Sequence, residues 1–231
     1  MIYIDRSKIK KPELFFSENL LIANQRLKEF YTKKDQLKNQ QRFSQPYRLE
    51  FVKNVRLDLR ELFNSKCAYC ESEINLVTSP SELDHFRPQN GARGYDKVFN
   101  PKHYWWLSYE WNNLYYSCTV CNRFKSTWFP LKGKPANINS PYHEIIQTEK
   151  TLLIDPCNDK PYEHITFDNE GNAIAITEKG NVTIDILKLN REDLVIARFK
   201  AIKEEYSSWE KILKLFNQKN YIELKTIFYD W

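Results

Sequence analysis

The sequence predicts an α+β protein in which a small mixed insert lies between N-terminal helices and a C-terminal β-hairpin followed by further helices. Three observations carry this expectation. Helical patterning dominates before residue 66, a short-range, aromatic-rich stretch over 67–130 holds two Cys-x-x-Cys pairs, and short alternating runs after 150 give way to helical periodicity again. The expected segments are 1–66, 67–130 and 131–231, forming one compact domain overall, which suits 231 residues at roughly 100–200 per domain.

Residues 13–34 read as a helix, with Leu14, Leu21, Leu27 and Phe30 among charged residues and Ser17 as an internal N-cap. A second helix fits 46–64, where Pro46 suits the first turn. Its Phe51, Val55, Leu59, Leu62 and Phe63 fall on one apolar stripe, opposite Lys53, Arg56 and Arg60. Gly91, Gly94, Pro88 and Pro101 mark a loop long enough to suspect function. Short strands are expected at 152–154, 165–167 and 173–177, with Asp168-Asn-Glu-Gly171 as the hairpin turn between the last two. Helices follow at 181–188, 191–216 and 218–229, the long one capped by Asn190 with Asp193 three residues on.

Composition excludes several classes. Hydrophobic residues make up 42% and charged residues 28%, which is globular rather than disordered. No run of 18 uncharged apolar residues exists, so a membrane-spanning helix is excluded. The opening Met1-Ile-Tyr-Ile-Asp-Arg lacks a signal-peptide core, so a cytoplasmic chain with reduced thiols is expected. The net charge of +5 is uneven: residues 1–66 hold 15 Lys and Arg against 8 Asp and Glu. That excess fits a phosphate-attracting surface or a solvated helical face equally well.

Cys67-Ala-Tyr-Cys70 and Cys118-Thr-Val-Cys121 have the spacing that lets two sulfurs reach one ion. Two such pairs predict a closed, structural four-cysteine zinc site. A redox Cys-x-x-Cys is expected singly near a βαβ pattern, which is absent, and unrelated buried thiols are the other alternative. Cys157 reads as a small core residue. The 47 residues between Cys70 and Cys118 exceed a simple zinc ribbon, so the metal ties together the ends of a substantial insert.

Inside the insert lie Leu83-Asp84-His85-Phe-Arg87-Pro88, then Trp111-Asn-Asn113-Leu114, then Cys121-Asn122-Arg123-Phe-Lys125. Asp-His-x-x-Pro, Asn-Leu and Cys-x-x-Cys-Asn-x-x-Lys, in that order behind an upstream Cys-x-x-Cys, resemble the HNH endonuclease family. The resemblance implies a ββα-metal core over 67–130 and hydrolysis of phosphodiester bonds, leaving 5′-phosphate and 3′-hydroxyl ends. It implies His85 as general base, for which an imidazole with a pKa near ~6.5 is suited. Asp84 and Asn122 match ligands of a catalytic Mg²⁺ or Mn²⁺. Asn113 matches the residue that orients the catalytic His, with Asn112 as a rival. Lys125, Arg87 and Arg123 are the candidate nucleic-acid contacts. One tension is geometric: neighbours on a regular strand face opposite ways, so Asp84 and His85 share a site only if the strand ends or distorts there.

Cys67-Ala-Tyr-Cys-Glu71, Tyr104-Trp-Trp-Leu-Ser-Tyr-Glu-Trp111, Phe129-Pro-Leu131 and Leu153-Ile-Asp-Pro156 are similar to the HNH proteins of Septu-type and retron-associated anti-phage systems. That looser similarity covers 50–200 and implies a complex with an ABC- or AAA-type ATPase. The substrate expected is DNA. RNA, including tRNA, is an alternative, since a phosphodiester site does not by itself sense the 2′-hydroxyl. A non-catalytic zinc-stabilised module binding nucleic acid or protein is the rival from another class. His103 is a candidate support residue in the insert, His143 and His164 are expected in ordinary hydrogen bonds, and Trp105, Trp106, Trp111 and Trp128 are expected mainly in the core.

Overall fold

A one-turn 3₁₀ helix at Glu13–Phe16 stops at Ser17, whose hydroxyl accepts from the Leu20 N–H at 3.4 Å and starts helix α1, Glu18–Thr32. The computed structural model describes residues 1–33, 48–75 and 80–218. Pro46 and most of the helix expected over 218–229 lie outside the described residues. The buried face of α1 is Leu20, Ala23 and Leu27, while Leu21, expected among its apolar contacts, is exposed. Helix α2, Arg48–Leu62, buries the predicted stripe: Phe51, Val55 and Leu59 on the helix, Leu62 at its end and Phe63 just beyond. Each such side chain contributes about 1.5–3 kcal/mol on burial.

Strand β1, Ser81–His85, is followed by a two-strand ribbon, β2 (Ala92–Arg93) with β3 (Phe99–Asn100). Strand β4, Leu114–Cys118, returns antiparallel to β1, with Asp84 opposite Tyr115 and His85 opposite Leu114. Helix α3, Thr119–Lys125, begins immediately, with the Cys118 sulfur accepting from the Cys121 N–H at 3.4 Å. Helices α2 and α3 both pack on the β1–β4 pair. That explains why Leu114, Tyr115, Tyr116 and Ser117 are buried in succession rather than alternately. Trp105 and Trp111 are core, as expected, whereas Trp106 and Trp128 are half-buried.

The N-terminal segment is tied to this centre by Arg6. Its guanidinium donates to the carbonyls of Trp111 (3.1 Å) and Leu114 (2.5 Å) and lies 4.6 Å from the Tyr115 ring centroid. Further on, helix α4, Tyr142–Thr148, ends at Glu149. The strand expected at 152–154 does not form. Its backbone is consumed by irregular bonds, Leu152 N–H to Pro130 O and Ile154 N–H to Thr183 Oγ1, both at 2.9 Å.

Strands β5 (Ile165–Phe167) and β6 (Ala173–Ala175) form the predicted hairpin, and Asp168 O accepts the Gly171 N–H at 3.1 Å in its turn. Gly171 has φ 87°, and a Cβ there would meet the Val195 carbonyl at 2.7 Å. Helix α5, Glu178–Leu187, starts three residues earlier than expected because Thr177 caps it through the Gly180 N–H. Helix α6 spans Glu192–Asn217, but Asn190 is not its cap. The Asn190 amide is spent on both backbone groups of Ala173, at 2.7 and 2.9 Å. His164 bonds Thr177 Oγ1 at 2.8 Å, and His143 is exposed on α4.

The chain divides into two compact units that do not follow the three expected segments. One comprises 1–166 with 175–188, and the other 167–174 with the residues from 189. Both N-terminal helices therefore belong with the insert. Among the described residues, no helix is long and apolar enough to cross a membrane.

Candidate functional site

Two sites meet at α3. The first is sulfur. Cys67, Cys70, Cys118 and Cys121 bring their Sγ atoms within 4.8 Å of one another, with Cys70 and Cys118 at 3.8 Å. Four thiolates about 2.3 Å from one Zn²⁺ at tetrahedral angles need that spacing, so the donor set fits a metal ion such as zinc. Backbone bonds fold the first pair into a knuckle, Glu71 N–H to Cys67 O at 2.9 Å, and Ala68 N–H to Tyr116 O at 2.8 Å docks it on β4. Mutual hydrogen bonds lower the Cys70 and Cys118 thiols and raise that of Cys121, while burial raises that of Cys67. Cys157 lies apart, buried, its thiol pushed up to about 11 by burial, as a core cysteine should be.

The second site is a polar cleft of about 450 Å³ lined by Asp84, His85, Asn90, Arg93, Asn122 and Thr127, among others. Asp84 and His85 both reach it although they are neighbours on β1. The strand ends at His85, which resolves the geometric tension. Asn122, one residue past Cys121, lines the cleft from α3.

Asp84 and His85 are held from outside the cleft. The Asp84 carboxylate accepts from the Tyr69 hydroxyl and from Lys125 Nζ, the latter at 3.0 and 3.2 Å from its two oxygens. Burial, then the Asp84 charge, pushes the Tyr69 phenol well above its usual range, so it stays a donor. His85 Nε2 lies 2.8 Å from Ser108 O. A carbonyl only accepts, so Nε2 carries a proton, and in the neutral ring the lone pair is on Nδ1. Asn113, fully buried, accepts from the Arg87 N–H at 2.8 Å and donates to Arg87 O at 3.0 Å and Leu107 O at 3.2 Å. It therefore fixes the chain as it leaves His85. Its rival Asn112 is engaged instead with Glu110 Oε1 in its own turn.

Two of the expected nucleic-acid contacts are buried and paired within the protein. Arg87 is 2% exposed and pairs with Glu149 at 2.9 Å, leaving no face for a phosphate. Lys125 is fully buried. Its ammonium is shared between Asp84 and the His85 carbonyl (2.7 Å), and burial pulls it below the ordinary lysine range while Asp84 opposes that shift. Arg123 is exposed on α3 and is not among the cleft-lining residues. Sequence reasoning passed over Arg93, a cleft cation stacked 5.4 Å from the Trp128 ring centroid, whose only signal was its place between Gly91 and Gly94. Tyr69 was also missed, although it sits between two predicted ligands.

No protein-family model matches the chain. The Septu protein PtuB of Bacillus mycoides is 40% identical over 164 residues, covering 68% of this chain and 53% of that protein. The Septu protein PtuA of the same organism is 37% identical over 162 residues, covering 70% of this chain and 22% of PtuA. A PtuB of Bacillus thuringiensis is 29% identical over 170 residues, 72% of this chain and 53% of that protein. The chain is thus homologous to Septu proteins, and spans about half the length of the PtuB relatives and about a fifth of PtuA.

Proposed function

We propose that this chain is a metal-dependent HNH endonuclease that hydrolyses DNA in the cytoplasm as part of a Septu-type anti-phage defence complex. One observation carries the reading: Asp84 and His85 from one motif and Asn122 from another line one cleft on a strand–strand–helix unit. That unit has the order of a ββα-metal core, and the four-cysteine cluster beside it suits structural zinc.

The Asp84 carboxylate and the Asn122 amide oxygen are hard donors of the kind that hold Mg²⁺ or Mn²⁺. Asp84 already accepts from Tyr69 and Lys125, but a carboxylate has about four acceptor positions, so a cation still fits. A divalent ion held there supplies Lewis-acid stabilisation of charge at the scissile phosphate. His85 Nδ1 takes the proton of the attacking water, while Ser108 O keeps the ring in the tautomer that has its lone pair on Nδ1. Asn113 fixes the backbone beside His85. Lys125 and Tyr69 orient Asp84, and Arg93 is the cleft cation that meets a phosphate oxygen.

Similarity to parts of both PtuA and PtuB supports a place in a multi-component assembly, and the motif resemblance adds an ABC- or AAA-type ATPase as the partner. The test is cleavage of plasmid DNA and of an RNA transcript with Mg²⁺ or Mn²⁺, by the chain co-expressed and co-purified with an ABC- or AAA-type ATPase from the same genome. Wild type cuts DNA, and His85→Ala cuts about 10²–10⁴-fold more slowly. Undiminished cutting by the variant removes His85 as the base. Cutting of RNA alone replaces the substrate, and failure to co-purify removes the partner.

A further inference from the structure

Helix α6 carries an apolar seam that its own fold leaves largely exposed. Phe199, Ile202, Tyr206, Trp209, Leu213 and Phe216 follow one another at alternating steps of three and four residues. That is the 3.5-residue repeat of a coiled coil, with Phe199, Tyr206 and Leu213 at its a positions and Ile202, Trp209 and Phe216 at its d positions. An ordinary helix stripe repeats at 3.6 residues and drifts by about 20° per heptad away from such a seam. The buried residues of the helix, Leu194 and Leu215, lie outside it. Of the seam residues, Ile202 is half-buried and the other five are 39–60% exposed. Scattered apolar residues on a surface are ordinary, but an unbroken line of them marks an interface.

The seam is shaped and charged for one kind of occupant. A hollow of about 360 Å³ is lined by Phe199, Ile202, Lys203 and Tyr206, among others, with Asn169 of the β5–β6 turn beside them. Positions a, d, e and the next a are the four that form one hole for an inserted knob. Lys203 and Glu210 flank the seam at successive e positions, and Arg198 and Glu205 at successive g positions. Lys203 Nζ lies 4.9 Å from the Phe199 ring centroid, and neither Lys203 nor Glu210 has an ion-pair partner among the described residues.

We infer that this seam pairs antiparallel with the same seam of a second copy, so that the protein is a homodimer through α6. Each apolar layer then joins an a position to a d position: Phe199 meets Phe216 of the second copy, Ile202 meets its Leu213, and Tyr206 its Trp209. Leu213 of the second copy is the knob that enters the hollow. In this orientation e positions face each other, so Lys203 meets Glu210 of the second copy and Glu210 meets its Lys203. A parallel pair instead sets g against e, which places Arg198 by Lys203 and Glu205 by Glu210, like charges in both cases. The seam is complementary to itself in one direction only, as a two-fold interface requires. No residue of α6 lines the cleft, so the inference stands or falls apart from the nuclease reading.

Sedimentation equilibrium of the whole chain, with a circular dichroism spectrum of each variant, tests the pairing. From about 1 to 100 μM the wild type has the mass of two chains. Leu213→Glu, at an exposed position, has the mass of one chain and the wild-type spectrum. Lys203→Glu sets Glu against Glu twice and weakens association about tenfold. Adding Glu210→Lys to it restores both pairs and the affinity. These two charge variants, on the exposed edge of the helix, decide the matter even where Leu213→Glu alters the spectrum. A wild type that is monomeric throughout, a dimer undisturbed by Leu213→Glu, or a dimer tightened by Lys203→Glu, as the parallel orientation requires, overturns the inference. So does a monomeric wild type that co-purifies with an ABC- or AAA-type ATPase from the same genome while Leu213→Glu does not, which assigns the seam to that protein instead.

Discussion

Helix α3 serves two sites from adjacent positions, Cys121 in the sulfur cluster and Asn122 in the cleft. The cluster is made of four identical groups from two local motifs, and its sulfurs converge without side chains from elsewhere. The cleft is made of unlike groups from separate elements. Asp84 depends on Tyr69 and Lys125, His85 on Ser108, and the chain after His85 on Asn113. The closed site should therefore fail by unfolding and the open one by misorientation.

Four experiments press on that contrast. The largest effect is at the cluster, since structural zinc carries about 10–16 kcal/mol of apparent binding free energy in small zinc domains. Elemental analysis should find zinc in the wild type, and Cys118→Ser or chelation should abolish the cooperative melt followed by circular dichroism. A soluble, zinc-free Cys118→Ser protein with the wild-type melt would falsify the structural-metal reading. Next is His85→Ala. Its ~10²–10⁴-fold loss of cleavage should come with a melting curve close to wild type, because the removed ring is only half-buried at a strand end. A collapse of the melt would erase the distinction between the two sites.

Arg87→Met should cost about 3–5 kcal/mol of stability in urea unfolding, because Glu149 is left buried without its counter-charge, holding only the Tyr104 hydroxyl and the Ala136 N–H. Were Arg87 instead a phosphate contact, the variant would unfold normally and the salt dependence of DNA binding would fall by about one unit of slope. The smallest effect belongs to Tyr69→Phe, which removes one donor from Asp84. About tenfold slower cleavage is expected, with a shifted Mn²⁺ requirement and full zinc content. Loss of zinc in that variant would make Tyr69 part of the cluster rather than a support of the cleft.

What could be read from the sequence follows the same division. The paired cysteines, the α2 stripe and the hairpin at 165–175 are local patterns, and each is present. The burial of Arg87 and Lys125 was not legible, because a sequence shows charge but not burial. Arg87 is buried against Glu149, 62 residues downstream, and Lys125 against Asp84, 41 residues upstream. Asn190 had the right type for a cap, but Ala173 across the hairpin claimed its amide. Ser108 has no recognisable signal, since it contributes only a backbone carbonyl.

The two residues between Cys67 and Cys70 reach both members of the central strand pair, one by its backbone and one by its side chain. Ala68 N–H is bonded to Tyr116 on β4, and the Tyr69 hydroxyl to Asp84 on β1. A metal ion that closes this knuckle thereby acts as a clasp on two strands at once. A metal ion held in the cluster would fix Asp84 through Tyr69, so losing it would loosen the cleft floor in the same step that unfolds the chain.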